Sequence, residues 1–458
     1  MYSVPDDHVS SRRVLDIPEA LETLDRCYRL LASARPARTP LSASSNNATP
    51  PNVLGRFLKK QIFDLIKYRT TKLDHNLFDV IWPAVKKLPD NKNIIQTVEE
   101  DFSGGVSSPD YYVFEVFAEF LLPLIKDMHN INIHSDLPDH PITDFVKNRL
   151  LSESSEPLIE INIDPNNEIV LSGTMECSRN LDGFELPLNL KVGKLESVER
   201  IITTILMRED FSKIIGQLSP EPDQKGGTYY TLNEVLEKPS EISATLASAG
   251  LLIPLCDKDD IDDFNLLHGK HWPYARGVFV SDDKSVAIWI NVHDHLRVLI
   301  STPFDSPGHI GLTFSKLSQI MAYLHNKLDF VWDRKLGHLS SRPSFLGAGI
   351  RFSIIVNIPG LAKDSENIKQ LCTMRGLQYR ETLNTHIARI SNYQCLSITE
   401  SNCFNDFTRA TSNLLHLEKD LAMQNSDHIA TMLSNIFKRK RSSLADIHES
   451  ADKFRENH

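Results

Sequence analysis

Two changes of pattern along the chain predict an α+β protein with a small all-α N-terminal domain followed by a large antiparallel β-sheet domain flanked by helices. Before about residue 150, apolar residues recur at helical spacing, at Phe57, Ile62, Leu65 and Ile66 and again at Val116, Phe117, Phe120, Leu121, Leu124 and Ile125. After about residue 155, short β-type runs dominate. Turn residues such as Asp282-Asp283 join them, which favours hairpins over parallel crossovers. A chain of 458 residues, 41% hydrophobic and 24% charged, has room for two or three domains and a large core.

Taken in order, residues 1–56 read as a mostly disordered extension with one short helix. Asp16-Ile17-Pro18-Glu19 is a helix start, and Leu21, Leu24, Cys27 or Tyr28, and Leu31 follow at helical spacing. The stretch 35–52 is so rich in Pro, Ser and Asn that it reads as a flexible linker. Residues 57–152 form the helical domain. Its loop around Gly104, Gly105 and Val106 carries two adjacent glycines, suited either to close approach of a small molecule or to a plain connection. Residues 153–420 form the sheet domain, with β-type runs at 158–163, 169–172, 277–280, 286–290, 297–301, 352–358 and 387–391. Amphipathic helices fall near 196–208, 231–248, 312–327 and 363–375. Residues 421–458 are a helical tail with a basic cluster, Lys438, Arg439, Lys440 and Arg441, ahead of Ser442 and Ser443.

A formal net charge of −10 argues against nucleic-acid binding through bulk electrostatics. Six scattered cysteines without a C-x-x-C pair indicate neither a disulfide framework nor a cysteine zinc site, and a reducing cytoplasm is expected. The acidic start lacks the pattern of a signal peptide and no apolar run reaches the ~18 residues of a membrane span, so no membrane partner is expected. A protein partner could be held by the short N-terminal helix or by the basic tail.

The densest local signal is 287–301, an apolar β-type run interrupted by Asn291-Val292-His293-Asp294-His295, where the strand should bend or end in a cleft. On a continuous strand His293 and His295 would share one face, a familiar metal half-site, but no third ligand is evident and no metal is assigned.

This stretch also resembles a known family. His271-Trp272-Pro273-Tyr274-Ala275-Arg276-Gly277, then Trp289-Ile290-Asn291, Asp294-His295-Leu296-Arg297-Val298, Leu336-Gly337-His338-Leu339 and Pro343-Ser344-Phe345-Leu346-Gly347-Ala348-Gly349-Ile350-Arg351 resemble, in order and spacing, the W-P-x-x-R-G, W-x-N-E-E-D-H-L-R and C-P-[ST]-N-L-G-[T]-x-x-R signatures of the phosphagen kinases, the arginine kinase and creatine kinase family. Gly227-Thr228-Tyr229-Tyr230 and Leu377-Gln378-Tyr379-Arg380, the latter ahead of a mobile substrate loop in the family, resemble further elements. The resemblance covers roughly 57–420 and implies reversible transfer of the γ-phosphoryl group of MgATP to a guanidino nitrogen. Such chemistry rests on positioning and positive charge.

The resemblance implies an arginine set around the phosphates, carboxylates for the guanidinium and a cysteine beside them. Arg297 and Arg351 stand at arginine positions, where they form either a remnant nucleotide-phosphate site or structural ion pairs. Thr174, Glu176 and Leu383 fall where other arginines belong. Val292 and His293 replace the acidic pair, Arg342 the cysteine and Thr385 the loop glutamate, while Val280 and Ile355 fall at two adenine-side histidine positions. One charge pair ~4 Å apart is worth about 4 kcal/mol at an effective dielectric near 20, so the sign reversal at Glu176 swings about 8 kcal/mol at most. The expectation is a catalytically inactive or severely impaired homologue kept for binding or scaffolding. The alternative is an active ATP:guanidino phosphotransferase with an altered site, using MgATP or MgADP and a repositioned acid such as Asp294 or Glu381.

Overall fold

The computed structural model describes residues 18–33, 53–85, 103–145, 160–218, 226–237, 239–255 and 268–423. The linker at 35–52, the boundary at 152–153 and the basic cluster at 438–441 lie outside them.

The N-terminal helices are α1 (Pro18–Ser33), α2 (Val53–Phe57), α3 (Lys60–Ile66), α4 (Leu77–Val85), α5 (Val113–Val116) and α6 (Ala118–Met128). Their apolar stripes close one core that includes Phe63, Ile66, Val80, Phe117, Phe120 and Leu124. Helix α1 is part of this domain rather than of a separate extension. Leu24 and Leu31 are buried in the same core, Tyr28 stacks on Phe63 with ring centroids 4.1 Å apart, and Asp25 pairs with Lys67 at 3.6 Å. Its apolar face is therefore covered by its own domain. Leu24→Ala is expected to destabilise the helical domain by about 2–4 kcal/mol, read as a lower urea midpoint.

The second domain is built on an eight-stranded antiparallel sheet in the order β2-β3-β4-β5-β1-β8-β10-β9. Its elements are β1 (Val170–Arg179), α7 (Val192–Leu206), α8 (Glu209–Gln217), β2 (Gly227–Thr231), α9 (Leu232–Leu236), α10 (Glu241–Ser248), β3 (Gly277–Ser281), β4 (Val286–Val292), β5 (Asp294–Ser301), α11 (Ile310–His325), the small pair β6 (Trp332–Asp333) and β7 (Gly337–His338), β8 (Ile350–Asn357), α12 (Ser365–Met374), β9 (Leu377–Glu381), β10 (Ile387–Asn392) and α13 (Glu400–Ala422). Strand alternation sends Met175, Cys177, Val298, Phe352, Ile354 and Ile390 into the main core, under α7, α11 and α13.

Three expectations are corrected. The run at 158–163 is not a strand over its described residues, because its backbone bonds go to the start of α11: Ile163 N donates to Gly308 O and Gly311 N to Ile161 O, both at 2.9 Å. The single helix expected at 231–248 is two, α9 and α10, since Pro239 falls between them and cannot continue a helix. The start of the helical domain moves from residue 57 to include α1 and α2, whose Leu24, Leu31 and Leu54 complete its core.

Candidate functional site

The sheet face opposite the main core is covered on one side only. Over β3, β4 and β5 it is closed by α9, α10 and the loop after them, where Leu232, Val235, Leu246 and Leu251 pack on Val280, Trp289, Val292 and Leu299. The indole Nε1 of Trp289 donates to Leu251 O at 3.1 Å. Towards β9 the same face is open as a cleft of about 330 Å3. Alternation aims Arg297 from β5, Thr174 and Glu176 from β1, Arg351 and Ser353 from β8, Arg389 and Ser391 from β10 and Gln378 and Arg380 from β9 into it.

Glu176 is the one carboxylate among the described residues lining this cleft. It accepts from Arg297 Nε at 2.9 Å and lies 2.8 Å from Arg342 Nη2. The guanidinium of Arg342 is buried behind the cleft, 3.7 Å above the Phe345 ring, and Arg351 lies 4.7 Å over the same ring. Burial, and then the neighbouring Arg380, hold Arg351 down at about 10, against the attraction of Glu176. Arg342, at the expected cysteine position, and Glu176, at one of the two first-strand positions, therefore form an ion-paired group with Arg297.

The knot at 291–295 stands outside the cleft. The run folds back at His293 (φ 67°), with Val292 opposite Asp294 in the β4–β5 hairpin. Asn291 (φ 58°) donates through Nδ2 to Leu195 O at 3.1 Å and Ala275 O at 2.9 Å, and its carbonyl accepts from Arg276 Nε at 2.9 Å. Val292 is core. His293 stacks on His268 with centroids 4.8 Å apart, whereas His295 Nδ1 accepts from Leu181 N at 3.0 Å. The two imidazoles thus face different partners across a turn instead of sharing one strand face. Among the described residues no group of three or more His, Cys, Asp or Glu is placed to hold a metal.

Asp294 is fully buried. Its Oδ2 accepts from Ser178 Oγ at 2.6 Å and Ser340 Oγ at 2.7 Å, its Oδ1 from Asn180 Nδ2 at 2.8 Å and Ser341 N at 2.9 Å, and Arg342 Nη2 lies 3.4 Å away. Burial pushes its carboxyl up, but Arg342 and these donors outweigh it and hold it at about 2.

Leu383 and Thr385 are exposed in the short connection 382–386 between β9 and β10, which Thr382 ties down by donating to Asn384 O at 3.1 Å and Ile387 O at 2.8 Å. Neither lines the cleft. The third arginine of the cleft is Arg380, on β9, and a fourth, Arg389, stands directly opposite it on β10. The period-2 pairs Gln378/Arg380 and Arg389/Ser391 carried that signal in the sequence. Gly104, Gly105 and Val106 also lie away from the cleft. A Cβ at Gly105 (φ 74°) would meet Ala84 Cβ at 2.7 Å, so the glycine is needed for packing on α4; Val106 is in the helical core.

A helical domain ahead of an eight-stranded antiparallel sheet, with an arginine-lined cleft on the sheet's open face, is the arrangement that the sequence resemblance implies. Residues 49–126 match the ATP:guanido phosphotransferase N-terminal domain and residues 207–421 the ATP:guanido phosphotransferase C-terminal catalytic domain. The chain belongs to this family, the phosphagen kinases. It is 26% identical over 376 residues to the arginine kinase Lit v 2.0101 of Penaeus vannamei, covering 81% of this chain and 93% of that protein. It is equally 26% identical, over 377 residues, to the arginine kinase Pro c 2.0101 of Procambarus clarkii. The fold matches the duplicated taurocyamine kinase from Schistosoma mansoni with a TM-score of 0.61 at 23% identity, covering 82% of this chain and 47% of that one, so the chain spans about half the length of the duplicated protein. It matches lombricine kinase with a TM-score of 0.58 at 23% identity, covering 81% and 93%. No helix among the described residues is long and apolar enough to cross a membrane.

Proposed function

We propose that this chain is a phosphagen-kinase homologue that does not transfer phosphoryl groups to guanidino compounds and serves as a binding protein. The observation that carries this reading is the fate of the carboxylates. A guanidinium substrate needs a carboxylate to orient it, and Glu176, the one lining the cleft among the described residues, is engaged by Arg297 and Arg342. The positions of the family's acidic pair are a buried valine and a turn histidine, and that of the loop glutamate is an exposed threonine.

The acids that an active alternative would use are engaged elsewhere. Both oxygens of Asp294 are filled with donors, and Glu381 pairs with Lys369 at 3.3 Å on the surface. The 382–386 connection is too short to fold over the cleft, since even fully extended each residue spans only about 3.5 Å and the segment must return. On this reading MgATP is not a working substrate and the compartment is the cytoplasm, where the buried free thiols Cys177, Cys372, Cys395 and Cys403 stay reduced. A protein partner is then reached outside the cleft, the basic stretch 438–441 of the sequence being one candidate contact.

The full chain incubated with MgATP and, separately, L-arginine, taurocyamine or lombricine is expected to release no ADP above the substrate-free blank in a coupled assay. Turnover of about 1 s⁻¹ or faster with any of the three, in the range of ordinary enzymes, would overturn the reading.

A further inference from the structure

A second cavity, of about 470 Å3, lies on the helix-covered side of the sheet. On β10, Arg389 and Ser391 face the arginine-lined cleft, so alternation turns Asn392 to the other side, where it lines this cavity. One wall is a single face of α13, on which Asp406, Arg409 and Asn413 recur at helical spacing with Phe407 and Ala410 between them. The turn from α12 into β9 and the loop after β10 supply the other walls, and no residue is shared with the cleft. The floor is fixed by its own hydrogen bonds. Asn392 Oδ1 accepts from Phe352 N at 2.7 Å, and its Nδ2 donates to Ile350 O at 3.3 Å and Gln394 O at 3.2 Å. Gln394 Nε2 donates to Leu396 O at 2.9 Å, which leaves the carbonyl oxygen of that amide as an acceptor. Beside the cavity, and sharing Ala410 and Asn413 with it, is a narrow apolar slot between Leu371, Leu377, Leu414 and Leu417.

The charges on the α13 wall are arranged unusually. Asp406 and Arg409 stand three residues apart in the order that favours a helical ion pair. Among the described residues, however, neither makes an ion pair or a side-chain hydrogen bond, with the other or with a third group. Arg375, which also lines the cavity, has a partner of its own. Both Asp406 and Arg409 are exposed, so a ligand displaces water from them and breaks no buried pair.

We propose that this cavity binds a free α-amino acid with a large apolar side chain, its carboxylate on Arg409, its ammonium on Asp406 and the carbonyl oxygen of Gln394, and its side chain towards the apolar slot. A carboxylate beside a guanidinium suits a molecule that carries both charges, because a simple anion would lie against Asp406 and a simple cation against Arg409. The spacing sets the kind of zwitterion. Positions one helical turn apart have Cβ atoms only about 5–6 Å from each other, which matches the adjoining charges of an α-amino acid and not the distant ends of a peptide. The planar fork of Arg409 can take the carboxylate through two parallel hydrogen bonds. At about 470 Å3 the cavity falls within the roughly 300–1,000 Å3 of ligand pockets, which leaves room for a side chain beyond the charged head. This site is independent of the cleft and of whether the chain transfers phosphoryl groups.

Isothermal titration of the full chain with L-leucine tests it, alongside glycine, L-leucinamide, which lacks the carboxylate, and N-acetyl-L-leucine, which lacks the ammonium. Saturable binding of one L-leucine per chain is expected. The amide and the N-acetyl compound should each bind about 10-fold or more weakly, and glycine should bind more weakly as well. Asp406→Asn and Arg409→Gln should each weaken L-leucine by about 10-fold or more while leaving the melting temperature in place, since both positions are exposed on α13. Absence of saturable binding below about 10 mM by a folded chain would overturn the proposal. So would L-leucinamide, N-acetyl-L-leucine or glycine binding as tightly as L-leucine, or L-leucine binding that Asp406→Asn and Arg409→Gln both leave unchanged. The three ligand comparisons use the unaltered chain and decide the matter even if a variant fails to fold.

Discussion

Asp294→Ala is expected to destabilise the sheet domain by about 3–5 kcal/mol and to lower its melting temperature by roughly 10 °C. The side chain is buried and joins three segments distant in sequence, since its oxygens accept from Ser178 and Asn180 at the end of β1 and from Ser340 and Ser341 ahead of β8. Removing it leaves those donors buried without their acceptor and deprives the buried Arg342 of one of its two carboxylates. Asp294→Asn keeps the shape but presents an amide NH2 to groups that are themselves donors, so an intermediate loss is expected. An Asp294→Ala protein that melts within a degree or two of the parent would show that the hub contributes little.

This result bears on what the sequence could and could not disclose. The runs at 277–280, 286–290, 297–301, 352–358 and 387–391 correspond to β3, β4, β5, β8 and β10, because strands buried on the main core must be apolar at alternate positions or throughout. Strand β1 is longer than its apolar start at 169–172 suggests. Thr174, Glu176 and Ser178 interrupt it with polar side chains on the face away from the main core, while Met175 and Cys177 keep the period. Strand β9, at the edge, carries Gln378 and Arg380 for the same reason and escapes a reading based on hydrophobicity.

The site was legible as a place but not as a set of roles. A polar knot inside an apolar run announces buried hydrogen bonding or chemistry, and the two cannot be told apart until the partners are known. Those of Asn291 and Asp294 lie at Leu195, Ala275, Ser178, Asn180 and Ser340. Arg276 of the W-P-x-x-R-G resemblance is likewise structural. Its guanidinium donates to the carbonyls of His268, Tyr274 and Asn291 at 2.6, 2.8 and 2.9 Å, holding the loop before β3 against the β4–β5 turn. Positional matching to a motif put Arg297, Arg351 and Leu383 at family arginine positions, of which the first two line the cleft and Leu383 lies exposed outside it. Strand alternation counted from Arg380 and Arg389 puts the charge on the sheet instead.

The second large effect is acid instability, expected to begin where the two domains meet. Arg179 lies at the centre of a buried histidine group there, with Nε 3.5 Å from His325 Nε2, and His325 and His338 have ring centroids 5.6 Å apart. His140, on the segment leaving the helical domain, accepts from Ser397 N through Nδ1 at 2.9 Å. Burial lowers His325 to about 3 and His140 to about 4, with Arg179 adding to both; burial likewise lowers His129 and His295 to about 4, and His338 well below its ordinary value. The unfolded chain has ordinary histidines near 6.5 and so binds more protons than the native chain between about 6.5 and 4. Stability is complete above 6.5 and falls as the pH is lowered through that window. Glu400 acts in the opposite sense. Burial raises it to about 7 in spite of Arg179, so the native chain holds a proton that the unfolded chain gives up above about 4.5, which offsets roughly one histidine. At about 1.4 kcal/mol per unit for each group, the loss from the remaining histidines becomes comparable with a typical stability of 5–15 kcal/mol as the pH approaches 4. Asp294, lowered to about 2, adds its own loss only below about 4. The urea midpoint should therefore drop steeply between pH 7 and pH 5, with hydrogen exchange rising first at 139–145, where Glu400 accepts from Thr143 Oγ1 at 2.8 Å and Asp144 N at 3.1 Å. A midpoint that is the same at pH 7 and pH 5 would mean that these histidines titrate in the folded chain as they do in water.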